Sequence, residues 1–229
     1  MGALTPAPSD PPPLPVTERT RHRRLREQGS TERGDLDAIL TAGVICHLGV
    51  VVDGYPMVVP TVYGVSGDTL YLHGSVASRS LVSAPQATIC VTVTHVDGLV
   101  LARSVFEHAV NYRSAMIYGT PWLVTGEEKL AGLRSLSEHI VPGQWDYARR
   151  PNSKELAKTM LLALALTEAS VKIRTGPPDD GDSPDAALPV WAGVLPLAAV
   201  WRDPEPDPVL PAGTLFPEHL AARLRRPVG

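Results

Sequence analysis

Residues 44–80 read VICHLGVVVDGYPMVVPTVYGVSGDTLYLHGSVASRS. VICHLGVVV (44–52) is a continuous apolar run rich in β-branched residues, which pack well on a pleated surface. Asp53-Gly54 follows, a pair that accepts the positive φ angles a two-residue hairpin turn requires. PMVVPTVYGV (56–65) returns, Ser66-Gly67-Asp68 turns the chain again, and TLYLHG (69–74) supplies a third strand. Three adjacent strands joined by tight turns make a meander. ATICVTVTHV (87–96), LVLARSV (99–105) and RSAMIYGTPWLV (113–124) continue the same character. Six to seven such segments, with helices only at the margins, predict a mainly β fold. The antiparallel sheet is expected to be closed or nearly closed into a barrel, because closure removes exposed edges.

The flanks supply those helices. Ser30 offers an N-cap to a short helix with Glu32 and Asp35 in its first turn, a stripe of Leu36, Ile39 and Leu40, and a stop at Gly43. In GEEKLAGLRSLSEHI (126–140), Leu130, Leu133, Leu136 and Ile140 fall on one helical face. Ser153 is the expected cap of SKELAKTML, after which LLALALTEASVKIR returns to strand character. Residues 176–188 form an acidic, proline-rich loop. VWAGVLPLAAVW comes next, and a last short helix falls near 216–226. The organisation expected is a proline-rich disordered arm over 1–17, a barrel domain over 18–202, and a tail over 203–229.

Composition narrows the function classes. The 229 residues carry a net charge of −3, so no global field draws the chain to nucleic acid or anionic lipid. Five arginines in RTRHRRLR (19–26) read as a solvated arm, since no nucleic-acid module follows them. Cys46 and Cys90 sit in apolar runs without a CxxC pair, which suits reduced thiols in a cytoplasmic protein. LLALAL is too short to span a bilayer, and no nucleic-acid or membrane partner is expected. The histidines are not clustered at metal-ligand spacing, and there is no GxSxG elbow.

The stretch most suggestive of chemistry is His73-Gly74-Ser75-Val76-Ala77-Ser78-Arg79-Ser80. A strand ends, glycine permits an unusual turn, and small residues lead into a helical start whose free amides suit an anion. Arg79 adds a bidentate fork, while Ser75 and Ser78 add hydroxyl donors.

At these residues the chain resembles the pyridoxamine 5′-phosphate oxidase-like FMN-binding split barrels. It is closest to the branch of the nitroimidazole-resistance (Nim) proteins. The resemblance rests on GDTLYLHGSVASRS preceded by DGYPMVVPTVYG, and it runs from about Arg19 to Pro196. It implies an FMN phosphate held at Ser78-Arg79-Ser80, in place of the family's Ser-Arg-Lys turn. The lysine is missing here, and the family's second basic pair has no match near Val58 and Tyr63. Backbone from Val58 to Val62 would substitute, with Pro60-Thr61 passing the flavin ring. His73-Gly74 stands where the oxidases carry Tyr-Thr, and the Nim proteins place a histidine implicated in activity there. Ser114, in the run Asn111-Tyr112-Arg113-Ser114, takes the place of a residue that bonds the flavin edge. Arg113 is either a partner in that contact or a strand-surface arginine. Trp191 either covers the flavin, like the family's Trp-Gly-Gly tryptophan, or packs an interface.

The resemblance therefore implies a flavin-dependent oxidoreductase acting on a small-molecule substrate as a homodimer, with His73 catalytic. Pyridoxamine phosphate is not the expected substrate, because the oxidases' C-terminal Arg-x-His motif is absent. Two alternatives stay open: a haem-binding split barrel in which a histidine ligates iron, and a non-catalytic flavin-binding or sensory module.

Overall fold

The computed structural model describes residues 12–225. Its strands are β1 (Gly29–Ser30), β2 (Ile45–Val52), β3 (Tyr55–Ser66), β4 (Thr69–Ser75), β5 (Ile89–Leu101), β6 (Ala109–Gly119), β7 (Trp122–Leu123), β8 (Thr159–Ala165), β9 (Ala169–Arg174) and β10 (Gly193–Pro196). The helices are α1 (Arg33–Ala42), α2 (Arg79–Ser83), α3 (Gly126–Ile140), α4 (Gln144–Tyr147), α5 (Ser153–Lys158) and α6 (Glu218–Leu224). All ladders are antiparallel. Their order is β1-β9-β6-β5-β2-β3-β4-β8-β7, with β10 also on β5.

This is the expected split barrel, with ten strands rather than six or seven. The sheet is not closed. The path ends at β1 and β7, two residues each, and edges this short offer little backbone for strangers to pair with. The bend that wraps the sheet lies within β3. Its residues 55–62 pair with β2, and 63–66 pair with β4.

Alternation decides which faces are buried. Cys46, Leu48, Val50 and Val52 of β2 point inward with Val91, Val93, Ala115, Ile117, Leu162 and Leu164 to form the main core. A smaller core of Tyr71, Val124, Leu136, Leu161 and Ala163 lies on the outer side of β4 and β8, beneath α3. The buried hydroxyl of Tyr63 donates to Leu40 O at 2.6 Å, tying α1 to the barrel.

Several local expectations shift. Glu32, not Ser30, is the N-cap of α1. Ser30 belongs to β1, and its Oγ donates to Asp35 at 2.5 Å. On α3 the buried face is Gly132 and Leu136, with Leu133 against them, while Leu130 is exposed. Asn152 rather than Ser153 caps α5, in a capping box with Glu155. That helix stops at Lys158 because Thr159 enters register with Ser75. Within the arm expected over 1–17, residues 1–11 lie outside the described residues. Leu14 is buried in the main core, and its N–H donates to Thr31 O at 2.7 Å.

Candidate functional site

The outward positions of β2, β3 and β5 form an apolar face left bare in a single chain. Ile45, Val51, Val58 and Val96 are exposed there. Register places Val58 opposite Gly49 and Pro60 opposite His47, both pairs pointing out. Ser114 lies opposite Thr94 on the same face. Thr61 does not join them: it is opposite buried Cys46 and so faces inward.

Arg113 also takes the inward parity, with Ala115 and Ile117. Its guanidinium makes a bidentate pair with Asp97, at 2.7 and 2.9 Å. That pairing holds the Asp97 carboxyl below its usual range. Arg113 is therefore separated by strand pleat from its neighbour Ser114.

His73 and Gly74 point to opposite sides of β4. A Cβ on Gly74 would meet Leu81 Cδ1 at 2.7 Å, on the α2 side. His73 shares its face with Tyr71 and pairs with Leu161, at the border of the small core under α3. Among the described residues, His73 Nδ1 is the one buried side-chain nitrogen or oxygen without a hydrogen-bond partner. Burial lowers the pKa of this imidazole, which favours its neutral form with a nitrogen lone pair available.

The turn after β4 brings Ser75, Ser78 and Arg79 together. Ser78 precedes α2 without a side-chain cap, so the first-turn amides keep their donor capacity. Its Oγ lies 3.1 Å from that of Ser80. Arg79 is largely exposed and is held by the Asp53 carboxylate and by Tyr55 Oη, the latter at 3.0 Å. Sequence reasoning missed both holders. Asp53-Gly54 was legible as a turn, but nothing local says that the turn lies beside Arg79. The donor set fits a phosphate on one condition: Arg79 must exchange a carboxylate for it.

These residues are strung along one face rather than gathered. From the Val52–Tyr55 row beside Arg79 to the Ile45–Val62 row is seven residues of β2, roughly 23 Å. Trp191 sits beyond the far end, just before the Gly193–Leu101 pair, and is 63% exposed. Lys172 pairs with Ser114 in register and makes no ion pair among the described residues. Sequence reading did not single it out.

Among the described residues no group of three or more His, Cys, Asp or Glu could hold a metal ion. No helix is long and apolar enough to cross a membrane.

A family model described as pyridoxamine 5′-phosphate oxidase matches residues 32–173. The flavocytochrome Anf3 from Azotobacter vinelandii is similar in structure, with a TM-score of 0.87 and 37% identity over 92% of this chain and 98% of that one. The FAD and heme binding protein from Mycobacterium smegmatis gives 0.83 and 36%, over 88% and 98%. A candidate 5-nitroimidazole antibiotic resistance protein from Bacteroides thetaiotaomicron VPI-5482 gives 0.51 and 20%, over 63% and 86%, a likeness of fold alone. A search of curated proteins returns no match.

Proposed function

The chain belongs to the pyridoxamine 5′-phosphate oxidase family, and from that membership we propose that it is a flavin-dependent redox protein acting on a small molecule as a homodimer. The observation that carries the reading is the bare outer face. It bears Val58, Pro60 and Ser114, ends at the Ser78-Arg79 turn, and borders the unpartnered His73 Nδ1.

A second copy related by a two-fold axis explains why the residues are spread. Reversed against this face, its Trp191 end would lie over the Arg79 end of the first chain. The exposed apolar strands would be buried in the same step. The flavin would supply electron transfer, and the protein supplies position and electrostatics. Arg79 would grip the phosphate as a fork, with Ser75 and Ser78 donating hydroxyls. His73, neutral near pH 7, would exchange a proton with a substrate bound on the face.

Haem beside the flavin is the second reading. It is favoured by the flavocytochrome and the FAD and heme binding protein, at 37% and 36% identity over nearly their whole lengths. A neutral histidine with an unpartnered nitrogen suits an iron ligand.

The test is the absorbance spectrum of the purified protein, with chromatography of the released cofactor to separate FMN from FAD. Flavin bands alone support the first reading, and an added Soret band supports the second. Protein that carries neither, and takes up neither when reconstituted, overturns both. Sedimentation of the flavin-loaded protein as a monomer would overturn the dimer.

A further inference from the structure

A cleft of about 1000 Å³ opens between α1, the β3–β4 turn and α3, with α6 along its rim. It lies beyond the Ile45–Val62 end of the flavin face, far along β3 from the Arg79 turn. Val65 and Ser66 in its wall are ten or more residues along β3 from Tyr55, which touches Arg79.

Its charges are unevenly spent. Both carboxylates in the wall are committed: Asp37 to Arg33 at 2.8 Å, and Glu138 to the N–H groups of Gly143 and Trp145 at 2.7 and 3.0 Å. His139 donates Nε2–H to Gly43 O at 2.8 Å, and burial lowers its pKa, so it adds no charge near neutral pH. Three arginines also reach the cleft. Arg113 is neutralised by Asp97. Arg134 meets Asp146 at 3.2 Å with both side chains more than half exposed, a pair that solvent screens and a ligand can replace. Arg223 has no carboxylate among the described residues. Its Nε donates to Ile140 O at 2.9 Å, and its guanidinium lies 5.0 Å over the Trp201 ring.

We propose that this cleft binds a nucleotide-sized organic anion, its carboxylate or phosphate held by Arg223 and Arg134 and its apolar body lying against Ala38, Ala42 and Val65. The volume is at the upper end of small-molecule sites. The hydroxyls of Thr41, Ser66 and Tyr71 make no side-chain hydrogen bond among the described residues, so they remain to orient the ligand. The tail supplies Arg223 through α6, which docks by that arginine and by His219 on Gln144 at 2.9 Å.

The test is isothermal titration of the full-length purified protein with two matched pairs: adenosine 5′-monophosphate against adenosine, and 2-naphthoate against 2-naphthamide. The proposal expects at least one anion to bind and its neutral counterpart to bind at least ~10-fold more weakly. Arg223→Gln should weaken the anion by ~10-fold or more. Arg134→Gln, which leaves the docking of α6 untouched, should weaken it in the same direction. Arg79→Ala should leave it unchanged. Failure of both anions to bind, equal binding of the neutral compounds, or full binding in both cleft variants overturns the site. Loss of binding in Arg79→Ala instead would move the anion to the flavin turn and also overturn it. None of the outcomes at Arg223 or Arg134 bears on whether flavin binds.

Discussion

Asp53 already holds the guanidinium on which the flavin reading turns, and this makes two opposite predictions. Arg79→Ala should weaken flavin by about 10- to 100-fold, since no other lysine or arginine lies between Val44 and Leu101. Arg79→Lys should recover only part of it, because an ammonium keeps charge but not the fork. Asp53→Asn should strengthen binding, because the phosphate then displaces no carboxylate. Fluorescence titration reads all three, and weaker binding in Asp53→Asn would assign Asp53 to the site itself. The buried histidines give a pH dependence. His73 and His139 both titrate below the usual 6.5 through burial. For a base depressed in the folded state, the unfolded chain takes up the proton first. Stability is then full above about 6.5 and falls as pH drops toward the lowered values. The thermal midpoint should decline between about pH 7 and 5, and less steeply in a His73→Asn, His139→Asn protein. Candidate residues could be named from the sequence at this scale, but their partners could not. Asp53 and Arg79 are 26 positions apart, and no local pattern encodes that meeting.

The hairpins from β2 to β4 were readable because each is closed by its own turn, with Asp53 and Gly54 both at positive φ. The span of α3 was readable from its apolar period, but its docking was set by a glycine elsewhere. A Cβ on Gly64 would stand 2.5 Å from Leu136 N and 2.6 Å from Leu136 Cα. Both atoms are helix backbone and cannot swing aside. Gly64→Ala should therefore push α3 off β3 and cost roughly 1–3 kcal/mol or more. Urea unfolding would show it as a lower midpoint, and an unchanged midpoint would mean that α3 sits more loosely than this contact requires. The same displacement would widen the cleft under α3, so anion binding there should weaken as well.

At the scale of the molecule, the described part of the N-terminal arm is anchored rather than loose. Leu14 is buried in the main core, and Thr17 Oγ1 donates to Glu168 at 2.6 Å. Removing residues 1–17 should cost on the order of 2 kcal/mol or more beyond removing residues 1–11, as for other lost core leucines. Equal midpoints for the two truncations would show that Leu14 contributes nothing. The arm read as disordered because six prolines accompany only two leucines over residues 1–17, and burial of one side chain leaves no periodic signal. The sheet order was hidden for a related reason. β8 and β9 are neighbours in the chain, yet one pairs with β4 and the other with β6. Leu166, Thr167 and Glu168 thus carry the chain from one wing of the open sheet to the other. Leu166 N–H donates to Asp68 O and Tyr118 N–H to Glu168 O, both at 2.9 Å. Under a pulling force applied across the barrel, these three residues would act as a tether. The wings could part by no more than the reach of that segment, roughly 14 Å between its flanking Cα atoms, before β8 or β9 had to peel from its ladder.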